Sequence, residues 1–248
     1  MSLEQLKIDI SRDFGTPAIV IDLDIVERNI ERLQGMCDDA GVANRPHIKT
    51  HKIPALAHKQ LQAGAQGITC QKLGEAEIMV DAGIDDIVVS YNLIGAARSG
   101  RLAKLLARKP VKVCADNPVT LEAYSEAGRA ADRVVGVLIE CDTGRKRAGV
   151  ETQTFFEEAR AGLQALGREA KIVSTGGTPN LVNLGSLNGA TEHRAGTFIF
   201  NDRMMMACGA AQQDDCALNV FSTVVSRAGP ERGILDAGSK TLTSDIGG

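Results

Sequence analysis

Short apolar runs alternate with helical patterns through most of this chain. The apolar runs are rich in β-branched residues and predict strands at 16–23, 45–50, 66–71, 85–91, 111–116, 133–142, 170–176 and 193–200. The helical patterns lie between these runs, at about 24–41, 54–63, 73–82, 94–108, 118–130 and 152–167. Strands that alternate with helices at this spacing are typical of βα units and a parallel sheet.

The length and the apolar character of the runs favour a (β/α)8 TIM-type barrel. Continuous apolar stretches are expected for parallel strands that are buried on both faces, and about 250 residues is the usual size of such a barrel. No G-x-G-x-x-G sequence follows the first run, which disfavours a dinucleotide-binding sheet. A doubly wound open sheet is the alternative.

The pattern changes after Phe200. Strand-like segments at 216–227 and 232–240 are joined by a Gly-Pro turn, with no helix of barrel length between them. We interpret them as the beginning of an antiparallel β domain that is incomplete in this sequence. The expected organisation is an N-terminal segment, 1–23, that contributes to the β domain, a barrel at 24–205, and the start of the C-terminal β domain at 206–248.

Composition and charge describe a soluble folded protein. Among 248 residues, 28 are Lys or Arg and 31 are Asp or Glu, and this net charge of −3 disfavours a nucleic-acid partner. No window approaches the roughly 20 apolar residues that a membrane span needs, and the N-terminus has no secretion signal. We therefore expect no membrane partner and a cytoplasmic location. The six cysteines form no C-x-x-C pair and are expected to be free thiols.

The end of the predicted strand 170–176 has the composition of an anion site. Ser174, Gly176, Gly177 and Thr178 place two glycines among hydroxyl groups where a helix is expected to begin. Backbone N–H groups at such a position bind phosphate, and barrel phosphate sites are often built from this loop and the next. The next strand ends near Arg194, Gly196 and Thr197. An ordinary polar turn is the alternative for this cluster.

Lys49 lies within a strand-like run, P-H-I-K-T-H-K, that ends at the predicted barrel mouth. Desolvation there, and nearby cations such as His51, Lys52 and Arg147, would lower the pKa of a lysine and favour Schiff-base chemistry. A lysine that only extends into solvent at a strand end is the alternative. Together with a phosphate loop, this lysine indicates pyridoxal 5'-phosphate, which needs both an amine and a phosphate site.

Several segments in order resemble the D-threonine aldolase and D-serine dehydratase family. They are TPAIVIDLD, RPHIKTHK, GITCQKLGEAEIMVDAGIDDIVVSY, ECDTGRKRAGV, STGGTP and EHRAGTFIFND. This family belongs to the alanine-racemase-like, fold-type III pyridoxal-phosphate enzymes. The resemblance covers nearly the whole chain.

The resemblance implies a role for each matching residue. Lys49 corresponds to the lysine that holds the cofactor covalently and takes part in catalysis. Arg147 corresponds to the arginine that reaches the pyridine ring, with Arg145 as the weaker candidate. The resemblance also implies phosphate contacts from Ser174, Gly176, Gly177, Thr178, Gly196 and Thr197. His47 and Thr50 would line the same wall, in direct contact or as support, and His193 is expected to make an orienting hydrogen bond.

The resemblance implies a lyase that acts on a small D-configured β-hydroxy amino acid. D-threonine aldolase, which yields glycine and an aldehyde, is the first expectation, and D-serine dehydratase is the second. A racemase, another D-amino-acid lyase and a non-catalytic pyridoxal-phosphate carrier are further alternatives. The family also implies a homodimer and a divalent metal, manganese or zinc. Its metal ligands lie in a β domain beyond SDIGG, so we assign no metal ligand in this sequence.

The predicted barrel is one strand short. From RPHIKT to 193–200 the sequence contains seven strand candidates, whereas the fold needs eight. The interval before 170–176 contains one helical pattern, 152–167, where a helix, a strand and a second helix are expected. We therefore expect that a segment is absent between Gly149 and Phe155, including a strand whose side chain would stack on the cofactor ring.

Overall fold

The chain divides into two units. The computed structural model describes residues 3–142, 148–151, 165, 167, 170–186 and 189–242. The larger unit is Ile30–Thr197, and the smaller unit combines Met1–Asn29 with Phe198–Gly248. These borders differ by several residues from those expected after residues 23 and 205.

The helices follow the predicted pattern closely between residues 23 and 131. They are α1 Leu3–Asp13, α2 Leu23–Asp39, α3 Pro54–Gln62, α4 Leu73–Asp81, α5 Ala96–Arg108, α6 Pro118–Ala131 and α7 Arg203–Ala207. Short 3-10 helices span Ile48–Thr50, Thr178–Ser186, Thr197–Ile199 and Gln213–Asp215. The predicted helix 152–167 lies almost entirely outside the described residues. No described helix is long and apolar enough to cross a membrane.

Parallel strands form the larger unit. In chain order they are β2 Ala43–Asn44, β3 Ile68–Cys70, β4 Ile87–Val89, β5 Lys112–Ala115, β6 Gly136–Ile139, β7 Cys141–Asp142, β8 Val150–Glu151, β9 Ser174–Gly176 and β10 Glu192–Arg194. One sheet has the order β2-β10-β9 and a second the order β3-β4-β5-β6, while β7 pairs with β8. A parallel bridge between His47 and Thr69 connects the two sheets.

The order of these strands is that of a TIM-type barrel with one position open. Strands β9, β10, β2, β3, β4, β5 and β6 follow one another, but the two end strands, β6 and β9, do not pair with each other in the described ranges. Direct pairing of these two strands would have contradicted the expectation of an absent strand. The two sheets that the His47–Thr69 bridge connects thus contain seven strands, and the absence of an eighth strand stays a prediction.

The core of the larger unit fills the space between strands and helices. Strands β3 and β4 are buried along their whole length, as expected for parallel strands covered on both faces. The largest apolar side chains of this cluster include Ile48, Ile68, Met79, Ile84, Ile87, Leu102, Leu105, Leu106 and Tyr124. Because this core packs around β3, β4 and β5, it fixes the strand ends on which the site is built.

The smaller unit is built from antiparallel pairs. Strand β1 Ala18–Ile21 pairs with β11 Leu218–Phe221, so the N-terminal segment joins the strands that follow the barrel. Strand β12 Val224–Ser226 pairs with β13 Ile234–Leu235. The change from parallel to antiparallel pairing after Phe200 agrees with the sequence pattern.

Candidate active site

Three neighbouring strands bring the predicted site segments together. Strand β10 lies between β2 and β9, and His193 of β10 is level with Asn44 on one side and with Thr175 on the other. Because the three strands are parallel, the segments that follow them emerge at the same end of the sheet. These segments contain Lys49, the Gly176–Thr178 loop, and Gly196 with Thr197.

Lys49 lies on a tight turn instead of on a strand. The predicted strand 45–50 is wrong in its second half, because Ile48–Thr50 forms a 3-10 helix. His47 caps this turn, with its Nδ1 accepting a hydrogen bond from the Lys49 N–H at 3.3 Å. The backbone N–H groups of His51 and Lys52 both donate to the Ile48 carbonyl, at 3.1 and 2.8 Å.

The surroundings of Lys49 differ from the sequence argument in two respects. The Lys49 side chain is exposed in the chain, so the expected desolvation is not present. Burial lowers the pKa of His51 to about 4, so this ring is neutral and does not act as a neighbouring cation. Lys52 forms an ion pair with Glu75, with 3.6 Å between Nζ and Oε1. Its position in a turn that His47 caps, more than the charge of its neighbours, therefore distinguishes Lys49 from the other lysines.

Gly196 allows the segment after β10 to approach the lysine turn. A Cβ atom at this position would lie 2.9 Å from the His47 carbonyl oxygen and 3.4 Å from the Thr50 Oγ1. The His47 N–H also donates to the Ala195 carbonyl at 2.7 Å. A side chain larger than hydrogen would separate the two segments, so Gly196 keeps the segment after β10 against His47 and Thr50.

The loop after β9 is the second half of the predicted phosphate site. Gly177 has φ +96°, in the left-handed region that favours glycine. Its N–H points back to the Arg194 carbonyl at 3.4 Å, and its carbonyl accepts from the Asn180 N–H at 3.1 Å. Thr178 is buried and begins the 3-10 helix that ends at Ser186. Gly176 and Gly177 therefore turn the chain next to the end of β10.

Ser174 has a different partner from the one predicted. It is the first residue of β9, and its Oγ donates to Glu192 Oε1 at 2.6 Å. Glu192 is the first residue of β10, so this hydrogen bond lies at the amino end of the strands, whereas the glycine loop follows their carboxyl end. This geometry favours a structural role for Ser174 over a phosphate contact.

Arg147 and Arg145 lie outside the described residues, so their predicted roles stay predictions. The chain that follows them is anchored at Asp116, whose Oδ2 accepts from the Gly149 N–H at 3.0 Å. Burial acts to raise the pKa of Asp116, but hydrogen bonds led by the one from Gly149 outweigh it and leave the pKa below its ordinary value. Asp116 follows β5 directly, at the same end of the sheet as Lys49.

His193 of β10 lies next to β9, the strand from which the glycine loop emerges. Its side chain is fully buried, and its Nδ1 lies 2.8 Å from the Thr175 Oγ1, which confirms the expected orienting hydrogen bond. Burial lowers the pKa of His193 to about 4, so the ring is neutral. A neutral ring at this position keeps β10 and β9 together without adding a cation to the site.

The described residues fit pyridoxal phosphate in two respects. The donor set combines one exposed amine, on Lys49, with the backbone of two glycine-containing loops and a threonine hydroxyl on Thr178. The backbone of Gly196 packs directly against the His47 carbonyl, so that the loop containing Gly196 lies close to the turn that contains the amine. An aldehyde and a phosphate need these two kinds of group.

Ser90 and Asp116 are polar contacts at this end of the barrel that the sequence analysis did not select. Each follows a buried strand, Ser90 after β4 and Asp116 at the end of β5. Their position after a strand was the available signal, because the chemistry of a barrel lies at its carboxyl edge. The sequence did not show that Ser90 would contact the His47 ring or that Asp116 would accept from the Gly149 N–H.

The chain is similar to a known domain family and to several known proteins. The model of the alanine racemase N-terminal domain matches residues 21–173. A D-threonine aldolase from Arthrobacter sp. is 34% identical, over 94% of this chain and 74% of its own length. A D-threo-3-hydroxyaspartate dehydratase from Delftia sp. strain HT23 is 32% identical, over 94% of this chain and 73% of its own length. The crystal structure of D-threonine aldolase from Filomicrobium marinum matches with a TM-score of 0.82 and 29% identity, over 92% of this chain and 75% of its own.

The match to the D-threonine aldolase from Arthrobacter sp. is longer than the part of the chain that it covers. The match to the Arthrobacter aldolase extends over 282 residues, whereas 94% of this 248-residue chain is about 233. About 49 positions of the relative therefore have no counterpart here. This difference agrees with the seven-membered series of strands, and its location between Gly149 and Phe155 stays a prediction.

Proposed function

This chain belongs to the family of the alanine racemase N-terminal domain, and on that premise we propose that it is a pyridoxal-phosphate-dependent lyase of D-configured β-hydroxy amino acids. Its proposed main reaction is the aldolase cleavage of D-threonine into glycine and acetaldehyde. The observation that supports the proposal most is the capped turn of Lys49 beside Gly196 and the Gly177 loop. The relatives named aldolase and dehydratase are lyases.

The proposal assigns a role to Lys49, Thr178 and Thr197. Lys49 would hold the aldehyde carbon of the cofactor through Nζ, and Thr178 and Thr197, with the adjoining backbone, would bind the phosphate. When bound, pyridoxal phosphate supplies an electron sink for the bond that breaks at Cα. The Lys49 Nζ would also carry a proton to or from the substrate Cα.

The aldolase and the dehydratase differ in the bond that is broken. In the aldolase reaction a base takes the β-hydroxyl proton, the Cα–Cβ bond breaks with its electron pair left on Cα, and Cα gains a proton to give glycine and the aldehyde. In the dehydratase reaction Cα loses its proton to Lys49 and the Cβ–O bond breaks, and hydrolysis then gives an oxoacid and ammonia. The Delftia relative is named a dehydratase, so D-serine dehydratase is our second candidate.

Product analysis distinguishes these reactions. The protein is incubated with D-threonine or D-serine, with and without manganese or zinc, and glycine, acetaldehyde, oxoacids and ammonia are measured. Glycine with acetaldehyde supports the aldolase, and an oxoacid with ammonia supports the dehydratase. Cofactor binding without turnover of either substrate would instead indicate a carrier protein. A requirement for manganese or zinc would support the expected metal dependence.

Covalent labelling tests the role of Lys49. Borohydride reduction of the cofactor-loaded protein, followed by peptide mapping, should place the label on Lys49. Lys49→Ala should remove the label, whereas Lys52→Ala should retain it, because the Lys52 ammonium is paired with Glu75. A label on Lys52, or on any other lysine, would contradict the assignment.

A homodimer is part of the same proposal. The family resemblance implies that the barrel mouth of one subunit is closed by the β domain of its partner. Light scattering of the cofactor-saturated protein at low concentration should give the mass of two chains. The mass of one chain under those conditions would contradict this part of the proposal.

A further inference from the structure

The His47 ring connects the lysine turn to the ends of two other strands. Its Nδ1 accepts from the Lys49 N–H at 3.3 Å, and its Nε2 lies 3.2 Å from the Ser90 Oγ. The Ser90 hydroxyl lies 3.3 Å from the Cys70 carbonyl at the end of β3. The ring is 9% exposed, so water competes little for these bonds.

These contacts assign the protons of His47 and Ser90. A ring nitrogen that accepts a hydrogen bond carries no proton, so the proton of the neutral imidazole is on Nε2. Nε2 therefore donates to the Ser90 Oγ, and the Ser90 hydroxyl donates to the Cys70 carbonyl. The direction of every bond from Lys49 to Cys70 is thereby fixed.

A second connection holds the other end of the turn. Lys52 has φ +56°, a left-handed conformation that costs a non-glycine residue free energy and persists only when its surroundings hold it. Its Nζ pairs with Glu75, whose second oxygen accepts from the Gln71 N–H at 2.7 Å. Residues on both sides of Lys49 are thus attached to the segment that follows β3.

We propose that His47 and Ser90 are positioning residues for Lys49, and that their hydrogen bonds set the place at which its amine meets the cofactor aldehyde. This inference rests on the proposed function of Lys49. A displacement of a reacting group by about 1 Å is enough to lower a rate about 100-fold. Loss of the ring's attachment to Ser90 should therefore weaken the covalent binding of the cofactor while the fold is retained.

Two substitutions of His47 separate its two bonds. His47→Asn retains an oxygen that accepts from the Lys49 N–H, as in an Asx turn, but it is too short to reach Ser90. His47→Gln can place an amide nitrogen near the position of Nε2 and donate to Ser90, but it loses the cap. Ser90→Ala removes the partner of Nε2, together with the bond from Ser90 to the Cys70 carbonyl, and leaves the cap in place.

His51 provides a matched control. Its Nδ1 accepts from the N–H two residues ahead, on Ile53, at 3.0 Å, in the same manner as His47 accepts from Lys49. Its ring is also buried, but the neighbouring side chain is that of Gln60 on α3, not a residue at a strand end. His51→Asn therefore makes the same chemical change in the same sequence motif without affecting the connection to Ser90.

The test measures three quantities for each variant. They are the dissociation constant of pyridoxal phosphate, the pH midpoint of the visible band of the lysine-bound cofactor, and the unfolding midpoint of the cofactor-free protein. We expect Ser90→Ala and His47→Asn each to raise the dissociation constant about tenfold and to move the pH midpoint. The double variant should be no worse than either single variant, because both remove the same bond. His51→Asn should leave both cofactor measurements within about twofold of the wild type.

Several results would overturn the proposal. An unchanged dissociation constant and pH midpoint in Ser90→Ala would do so, as would equal effects of His51→Asn and His47→Asn. Additive losses in the double variant would show that the two residues act separately. A change in the unfolding midpoint alone would indicate a purely structural role. Failure of the wild-type protein to bind the cofactor would instead contradict the proposed function itself.

Discussion

Arg45 and Glu192 form a buried ion pair, with 2.5 Å between the Arg45 Nε and the Glu192 Oε2. Arg45 is fully buried, and Glu192 is 2% exposed. Arg45 also donates to Asp86, which comes directly before β4, and Lys112 at the start of β5 pairs with the same carboxylate. Burial acts to raise the pKa of Asp86, but hydrogen bonds led by that from Arg45 leave it below its ordinary value. Through Arg45, the starts of β10, β4 and β5 are thus connected by charge.

Glu192→Gln should destabilise the fold by about 3 kcal/mol, because it leaves a buried guanidinium without one of its two carboxylates. The measurement is urea unfolding of the cofactor-free protein. The control is Asp81→Asn, which makes the same change in the exposed ion pair between Asp81 and Arg108 and should cost less than about 0.5 kcal/mol. Equal losses in the two variants would contradict the role of the buried pair.

Ser174 should prove to be a structural residue, and Thr178 should prove to bind the cofactor phosphate. Ser174→Ala removes a hydrogen bond to Glu192 and should cost about 1 kcal/mol in the free energy of unfolding, with unchanged cofactor affinity. Thr178→Val should weaken the binding of pyridoxal phosphate about tenfold and leave that of pyridoxal, which has no phosphate, unaffected. Weaker binding of pyridoxal phosphate in Ser174→Ala would restore the original prediction for that residue.

Gly196→Ala tests the close approach at the lysine turn. The added Cβ would lie 2.9 Å from the His47 carbonyl oxygen, so the backbone must move and the affinity for pyridoxal phosphate should fall at least about tenfold. Gly100→Ala is the matched control, because a Cβ at this helical position meets no atom within 4 Å. That variant should be stabilised by up to about 1 kcal/mol with unchanged affinity. Normal cofactor binding by Gly196→Ala would show that the close approach of Gly196 to His47 is not required for binding.

The helices were predictable because their signals are local. The pattern at 54–63 corresponds to α3 Pro54–Gln62, with the proline at the first position, where its missing N–H costs nothing. At 118–130 the predicted helix begins at Pro118, after Asn117 whose side chain accepts from the Thr120 N–H at 3.0 Å. Helix α1 Leu3–Asp13 precedes the alternation of strands and helices, and the alternation therefore did not reveal it.

The sequence predicted which loops form the site, but it did not predict the contacts that the side chains make there. The glycines and the lysine are recognisable because they stand at strand ends, and β2, β10 and β9 do bring them to one edge. The turn at Lys49 was missed because a side chain, that of His47, decides it by accepting the Lys49 N–H. The role of Ser174 depends on which strand lies next to β9, and this non-local pairing cannot be derived from the local sequence.

Two of the buried histidines, His51 and His193, should make the fold sensitive to moderate acid. Burial lowers the pKa of both His51 and His193 to about 4, below the value of about 6.5 expected when unfolded. The unfolded state then binds more protons, so this part of the stability is complete above pH 6.5 and is lost as the pH falls towards 4. Each histidine should account for about 2 kcal/mol between pH 7.5 and 5.

Urea unfolding at several pH values checks this dependence. His193→Gln should reduce the change in the free energy of unfolding between pH 7.5 and 5 by about 2 kcal/mol, the contribution of one histidine. The double variant with His51→Gln should reduce it by about twice as much. The comparison stays above pH 5, where most carboxylates do not titrate. A pH dependence that is unchanged in the double variant would show that these rings are not the groups that titrate.

Because β6 and β9 do not pair in the described ranges, the backbone amides of β6 should exchange faster than those of a central strand. Strand β4 Ile87–Val89 has neighbours on both sides and no side chain more than 1% exposed, whereas Val137 and Ile139 of β6 Gly136–Ile139 are 37% and 47% exposed. Strand edges with exposed side chains open at a lower free energy than core strands, so β6 should exchange at least about 100-fold faster than β4. Mass spectrometry of the peptides that contain the two strands measures this ratio. Equal protection of β4 and β6 would mean that the edge of β6 is covered, and the interpretation of an absent strand would then be wrong.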